Sequence, residues 1–181
     1  MKKFIIGQSY KDRGPNYKRF DDDKFSSWLI DNSDNTIPPI GGIRFKKYVS
    51  LEMYSAVQPA QKIPPYIILI SSFIDSNFDN PWSDIISKTP GKITYWGDAN
   101  GRKNNHMSYV GNKALDNVNF LLKNSREIVP PILHFSKHEK GNLFFNGLCA
   151  LEKIEKESFF SDFKNKKINN LKCFLKVFKN I

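Results

Sequence analysis

Residues 66–70, Tyr66-Ile67-Ile68-Leu69-Ile70, form an unbroken apolar run between Pro64-Pro65 and Ser71-Ser72. A strand with one wet face alternates. A run this short without alternation predicts a strand buried on both faces, the spine of a sheet or barrel. The pattern Ala114, Leu115, Val118, Leu121 and Leu122 recurs at three- and four-residue spacing and predicts a helix over 113–124. A second helix is expected over 21–30, where Asp21-Asp22-Asp23 favours the N-terminal dipole and Phe25, Trp28 and Leu29 form one stripe.

Short strands are expected elsewhere. Phe4-Ile5-Ile6 is one, and Ile43, Phe45, Tyr48-Val49, Leu51, Met53 and Val57 suggest two more around Arg44, Lys46 and Lys47. Lys92-Ile93-Thr94-Tyr95-Trp96 is β-branched and aromatic. Ile132-Leu133-His134-Phe135 and Leu143-Phe144-Phe145-Asn146-Gly147-Leu148 flank the turn residues Glu139-Lys140-Gly141-Asn142, as in a hairpin. The meander continues through 149–157, and 171–178 is a further strand. Asn80-Pro81-Trp82-Ser83-Asp84-Ile85-Ile86 reads as one or two helical turns, with Asn80 as cap and Pro81 at the first position. The sum is one α+β domain over 1–181: a strand-dominated open β-barrel of the pseudobarrel kind, with two or three flanking helices. Residues 1–39 are the least defined part, an N-terminal extension of that domain.

Composition sharpens this picture in two ways. A hydrophobic fraction of 40% with 15 Phe argues for a packed core. The formal net charge is +10 and is unevenly placed. Residues 1–90 carry 12 Lys/Arg against 10 Asp/Glu, whereas residues 91–181 carry 16 against 8. A basic surplus of this kind suits a polyanion, of which the phosphate backbone is the commonest. Cys149 and Cys173 lie in apolar runs without the spacing of a disulfide framework or zinc site, and read as buried thiols of a reducing compartment. No run approaches the roughly 20 apolar residues of a spanning helix. A cytoplasmic protein with no membrane partner is expected.

The chemistry concentrates between the strand at 92–96 and the helix at 113. Ten mostly polar residues, Ala99-Asn100-Gly101-Arg102-Lys103-Asn104-Asn105-His106-Met107-Ser108, follow Gly97-Asp98. A connection this long is functional more often than ornamental, and Arg, Lys, Asn and Asp are the side chains that read base edges. The base-reading candidates are Arg44, Lys46, Lys47, Asp98, Asn100, Arg102, Asn104, Asn105 and His106. Lys103, Lys166, Lys167, Lys172, Lys176 and Lys179 are candidates for phosphate contacts. Tyr95, Trp96 and Tyr109 have a rival use as stacking surfaces for a flipped base. For Trp96 the competing reading is a structural anchor that closes the barrel.

Catalytic patterns are weaker. The acid-x-Lys spellings Asp22-Asp23-Lys24 and Asp162-Phe163-Lys164 fall at a helix start and in a polar loop, where a metal-dependent nuclease would want strand ends. His134 and His138 share one face of a strand and read as a core or surface pair. No phosphate-cradling loop, dinucleotide fingerprint or nucleophile elbow occurs, and no metal or cofactor is implied.

Taken in order, Ile93-Thr94-Tyr95-Trp96-Gly97-Asp98-Ala99, Gly111-Asn112-Lys113-Ala114-Leu115, Ile132-Leu133-His134-Phe135 and Gly141-Asn142-Leu143-Phe144-Phe145-Asn146-Gly147-Leu148 resemble the N-terminal specificity domains of bacterial restriction endonucleases. The likeness covers roughly 40–150 and is nearest to the LlaJI-type, McrBC-like subunits. Such domains read duplex DNA with a DNA-binding pseudobarrel, the "B-three" fold, or with the related SRA-like barrel for modified bases. The resemblance implies two arms straddling the major groove, here 42–48 and 98–106. It also implies no catalysis in this domain, and motor and nuclease domains or subunits of a restriction complex as partners. The expectation is sequence-specific double-stranded DNA binding, with an SRA-like, base-flipping reader and a small metal-dependent nuclease as alternatives.

Overall fold

The computed structural model describes residues 4–11, 42–45, 66–74, 82–87, 91–99, 102–103, 105–139, 142–162 and 164–178, with backbone alone at Lys11 and 42–45. In chain order the strands are β1 (Ser9–Lys11), β2 (Gly42–Phe45), β3 (Ile67–Ser72), β4 (Ile85–Ile86), β5 (Lys92–Trp96), β6 (Ile132–Lys137), β7 (Asn142–Ser161) and β8 (Lys166–Val177). One α-helix, α1 (Val110–Asn124), stands among the described residues, with 3-10 turns at His106–Ser108 and Arg126–Ile128. All strands join one sheet in the order β2-β3-β6-β7-β8-β5-β4, and β1 pairs with β7. Only β3 and β6 run parallel among the described pairs, because β4, β5 and α1 are the crossover between them. This is the α+β, strand-dominated open barrel expected.

The apolar run at 66–70 forms β3, and Ile67, Ile68, Leu69 and Ile70 are all at most 2% exposed, as a strand buried on both faces requires. Alternate residues feed two cores. Ile67 and Leu69 join Ile93, Tyr95, Ile132, Leu151, Leu171 and Leu175 beneath Ala114, Leu115 and Val118 of α1. Ile68 and Ile70 face the other way, onto Phe135, Leu143, Phe145 and Tyr10. Phe4 closes that second core, with ring centroids 4.8 Å from Phe145 and 5.3 Å from Tyr10.

Three local expectations are corrected. Phe4-Ile5-Ile6 is not a strand: Gln8 N–H donates to the Ile5 carbonyl at 3.0 Å, making a turn, and pairing begins at Ser9. Asn80–Ile86 was expected to be helical, yet Ile85 and Ile86 pair antiparallel with Thr94 and Ile93 of β5. An open sheet edge satisfies their backbone better than a single isolated helical turn. Strand β8 begins at Lys166, five residues before the expected Leu171, because it shares a long ladder with β7. The expected helix over 21–30 and the arm residues beyond Phe45 lie outside the described residues.

β7 bends twice. At His134/Phe135 the β6 register skips Asn146, and beside this bulge Gly147 has φ +137, a conformation that side chains rarely adopt. At Leu151/Lys153 the β8 register skips Glu152. Beyond Glu155 and Lys172 the pair continues as a two-stranded ribbon turning at 162–165, with Phe159 and Phe160 exposed.

The loop after β5 is held by two buried asparagines. Asn112 of α1 accepts the Asp98 N–H at 2.7 Å and donates to the His106 carbonyl at 3.0 Å and to Asn170 Oδ1 at 3.2 Å. Asn170 of β8 donates to the Gly97 carbonyl at 2.9 Å. Between them Gly97 has no room for a side chain: a Cβ would lie 2.7 Å from Asn170 Oδ1 and closer still to Asn112 Oδ1. Gly97→Ala must break this clamp, and a loss of about 2–4 kcal/mol is expected in urea unfolding. Asn112→Leu should lose a similar amount through unsatisfied partners. Cys149 and Cys173 are buried free thiols, and burial pushes the pKa of Cys149 up to about 12. Neither should react with a thiol reagent until the protein unfolds.

Candidate nucleic-acid interface

The first face of the sheet changes character along β3 and β6. Ile67 and Leu69, with Ile132 beside them, are apolar; the next inward residues, Ser71, His134 and Ser136, are polar and almost completely buried. Buried polar groups need partners, and these have them. Ser71 Oγ lies 2.9 Å from His134 Nε2, and Asn146 Nδ2 lies 3.0 Å from His134 Nδ1. Ser136 Oγ reaches Asn146 Oδ1 at 3.4 Å and His138 Nε2 at 3.0 Å. Burial lowers the pKa of His134 to about 3, so its imidazole is neutral.

At the near end of this network stands Asp84, immediately before β4. Its Oδ1 accepts the Trp96 N–H at 2.7 Å, and the Ser71 hydroxyl bonds to its carboxyl. The residue keeps partial exposure, but enough protein surrounds the carboxyl that desolvation raises its pKa to about 6, outweighing both hydrogen bonds. Trp82, two residues earlier, stacks on Trp96 with centroids 4.5 Å apart and meets the Phe159 ring edge at 6.1 Å. Lys172 Nζ lies 5.2 Å from the Trp96 ring centroid and 2.6 Å from Glu157. A desolvated acid beside stacked indoles makes Asp84 a candidate for a functional site. Asp84 and Trp82 were missed from sequence because 80–86 read as helix. The aromatic-x-acid spelling Trp82-Ser83-Asp84 beside a strand carrying Trp96 was the available signal.

The structure places the other candidates as follows. Asp98 is half-buried, its backbone held by Asn112. Arg102 is exposed. Lys103 is exposed, with Nζ donating to the Ser108 carbonyl at 2.9 Å and lying 5.2 Å from the Tyr109 ring centroid. Asn105 Oδ1 caps the following turn by accepting the Met107 N–H at 2.9 Å. His106 is half-buried with Nε2 enclosed; burial first, then Lys156, lowers its pKa, while Asp116 opposes the change. The loop and the β7–β8 ribbon therefore meet near His106. Lys167 and Lys176 are exposed and Lys166 half-buried. Lys176 stands directly across from Lys92, a like-charge pair. Arg44 is in β2 opposite Ile68, with its backbone alone described. Lys46, Lys47, Asn100, Asn104 and Lys179 lie outside the described residues. Of the acid-x-Lys spellings, Asp162 and Lys164 lie in the ribbon turn, away from any sheet core.

The fold has counterparts among solved structures. The MspJI restriction endonuclease in complex with a 27-mer oligonucleotide superposes with a TM-score of 0.69 at 20% identity, over 96% of this chain and 42% of that one. The DNA modification-dependent restriction endonuclease AspBHI superposes with a TM-score of 0.62 at 20% identity, over 97% of this chain and 76% of that one. At such identities the likeness shows the fold. The present chain spans 42% of the length of the MspJI chain. Sequence comparison with curated proteins returns no match. The model of the family described as "Restriction endonuclease AspBHI N-terminal" matches residues 4–179, nearly the whole length, and the chain belongs to that family.

Proposed function

We propose that this chain is the DNA-reading domain of a modification-dependent restriction system, holding a modified base, swung out of the duplex, against Asp84. The observation that carries the reading is the desolvated Asp84 carboxyl between Ser71, the Trp96 N–H and the Trp82–Trp96 stack. Two similar proteins are restriction endonucleases, one of them named as modification-dependent, which supports it. Extruding a base costs a few kcal/mol, so the site must offer stacking and hydrogen bonds in return. Two indoles 4.5 Å apart have no room between them for a base, which takes roughly 3.4 Å of stack. They serve as one wall beside the acid.

The exposed Arg102 and the loop 98–106 then read flanking base edges, with the arm at 42–48 on the other side of the duplex. Lys166, Lys167, Lys172 and Lys176 supply phosphate affinity. The facing lysines Lys92 and Lys176 repel one another, and a phosphate between them relieves that repulsion. The domain itself carries no catalysis in this reading. Its motifs' resemblance to LlaJI-type, McrBC-like subunits supports partnership with separate motor and nuclease elements, in the cytoplasm.

Selection from a randomised duplex pool, with and without cytosine and adenine methylation, tests the reading directly. Enrichment confined to the methylated pool is expected. Enrichment of an unmodified motif alone would leave groove reading without base flipping. Asp84→Asn should erase the preference for modified duplex, a loss of about 1–3 kcal/mol, while sparing non-specific binding. Lys167→Ala should weaken all duplexes alike and reduce the salt slope by about 1.

The same carboxyl predicts a trade-off with stability. Its folded pKa of about 6 lies above the ordinary 3.8, so the native state holds this proton more tightly than the unfolded chain. The contribution to stability is full below the ordinary value and is lost as pH rises through about 6. Asp84→Asn should therefore raise Tm by about 3–6 °C at pH 8 and leave it unraised at pH 4.

A further inference from the structure

The hydrogen bonds behind Asp84 run in one direction. Asn146 Nδ2 lies 3.0 Å from His134 Nδ1 and 3.4 Å from the Phe144 carbonyl, which can only accept. Its Oδ1 accepts from Ser136. The carbonyl contact orients the amide with its NH₂ toward His134, so Nδ1 of that neutral ring is the acceptor. The ring proton is then on Nε2 and is donated to Ser71 Oγ at 2.9 Å. Because Ser71 accepts from His134, its own proton is left to donate onward to the Asp84 carboxylate. Each member has one available role.

We propose that Asn146 and His134 are positioning residues for Asp84: through Ser71 they keep its carboxylate an acceptor, which selects a base presenting an exocyclic amine over one presenting a carbonyl at that position. The inference rests on Asp84 being the base-holding group. A carboxylate that accepts from two protein donors and keeps free lone pairs takes an amine hydrogen, whereas a carbonyl there faces acceptor against acceptor. Other titratable groups around the site are Cys173 on β8, whose pKa is raised first by burial and then by Asp84, and Tyr95 on β5, whose ring lies 6.2 Å from His134. Lys172 lies over Trp96, and His138 ends the network at the surface.

Asn146→Asp is nearly isosteric and reverses the chain: a carboxylate accepts from Nδ1–H, Nε2 becomes an acceptor, and Ser71 turns to His134. Ser71→Ala removes the last donor, and Ser71→Thr retains it. Two measurements are made on the intact chain. Nitrogen-15 NMR of the free protein should show His134 as the Nε2–H tautomer, changed to Nδ1–H in Asn146→Asp; an Nδ1–H tautomer in the wild type overturns the proposal without reference to DNA. Binding to 5-methylcytosine duplex is then followed from pH 5.5 to 9. Wild type should bind tightly above a midpoint near pH 6. Asn146→Asp and Ser71→Ala should move that midpoint up by about one pH unit, a loss of about twofold near pH 7 that approaches tenfold at about pH 5.5 and is recovered by pH 9. Ser71→Thr should restore the wild-type profile. A thymine-class base at the modified position should bind no better than plain duplex. Equal weakening of the variants at every pH shows packing damage and overturns the positioning role. A wild type indifferent to methylation at all pH values overturns the base-holding reading itself, whatever the tautomer.

Discussion

Two buried asparagines hold this molecule's surface loop to its core. Asn112 and Asn170 come from α1 and β8 and bond to each other. Between them they satisfy Asp98 N–H and the carbonyls of His106 and Gly97. In a low-dielectric interior each unsatisfied amide is costly, so the set forms together or not at all. Its consequence is geometric. The loop leaves β5 and returns to α1 at defined points, and the Gly-Asp and Gly-Asn motifs are the two sides of this attachment. Asp98 and the loop after it suggested base reading; the close packing of Gly97 against the Asn112 side chain explains why those residue types occur together.

The sheet extends that attachment into a working surface. β3 divides two cores, and the bulge at Asn146 lets β7 serve both: Leu143 and Phe145 before it enter the second core, Cys149 and Leu151 after it enter the first. A regular ladder would keep these four odd-numbered residues on one face. The second bulge, at Glu152, redirects β7 so that its far half pairs with β8 alone and brings Phe159 to Trp82. The aromatic wall thus draws on β5, the segment before β4, and the ribbon. These parts lie up to 77 residues apart between Trp82 and Phe159.

Asp84 stands where the first core turns from apolar to polar. Its elevated pKa is the cost of that position, only partly offset by Ser71 and Trp96. Such a group weakens the fold above about pH 6. Its network extends through His134 and Asn146 to the surface at His138, so the same residues that satisfy the core set the acid's hydrogen-bond role.

The strand inventory around β3, β5, β6 and β7, the α1 stripe, the buried thiols and the basic second half were legible along the chain. These follow from periodicity and from charge, which are local or additive. The sequence also carried the resemblance to restriction specificity domains through motifs at 93–99 and 111–115. It did not reveal β4 or the burial of the Asp84 carboxyl. Asn80-Pro81-Trp82-Ser83-Asp84 has strong local helix-start chemistry, while the conformation at 84–86 is set by a strand partner that follows in the chain and by Ser71 from another strand. Nor did it separate the side chains free to meet a ligand from those closing the loop, such as Asn105 and Lys103, whose polar atoms serve the turn beside them. These points emerge on folding, because a buried acid's pKa and a side chain's hydrogen-bond duties depend on groups brought close in space, and not on neighbours in sequence.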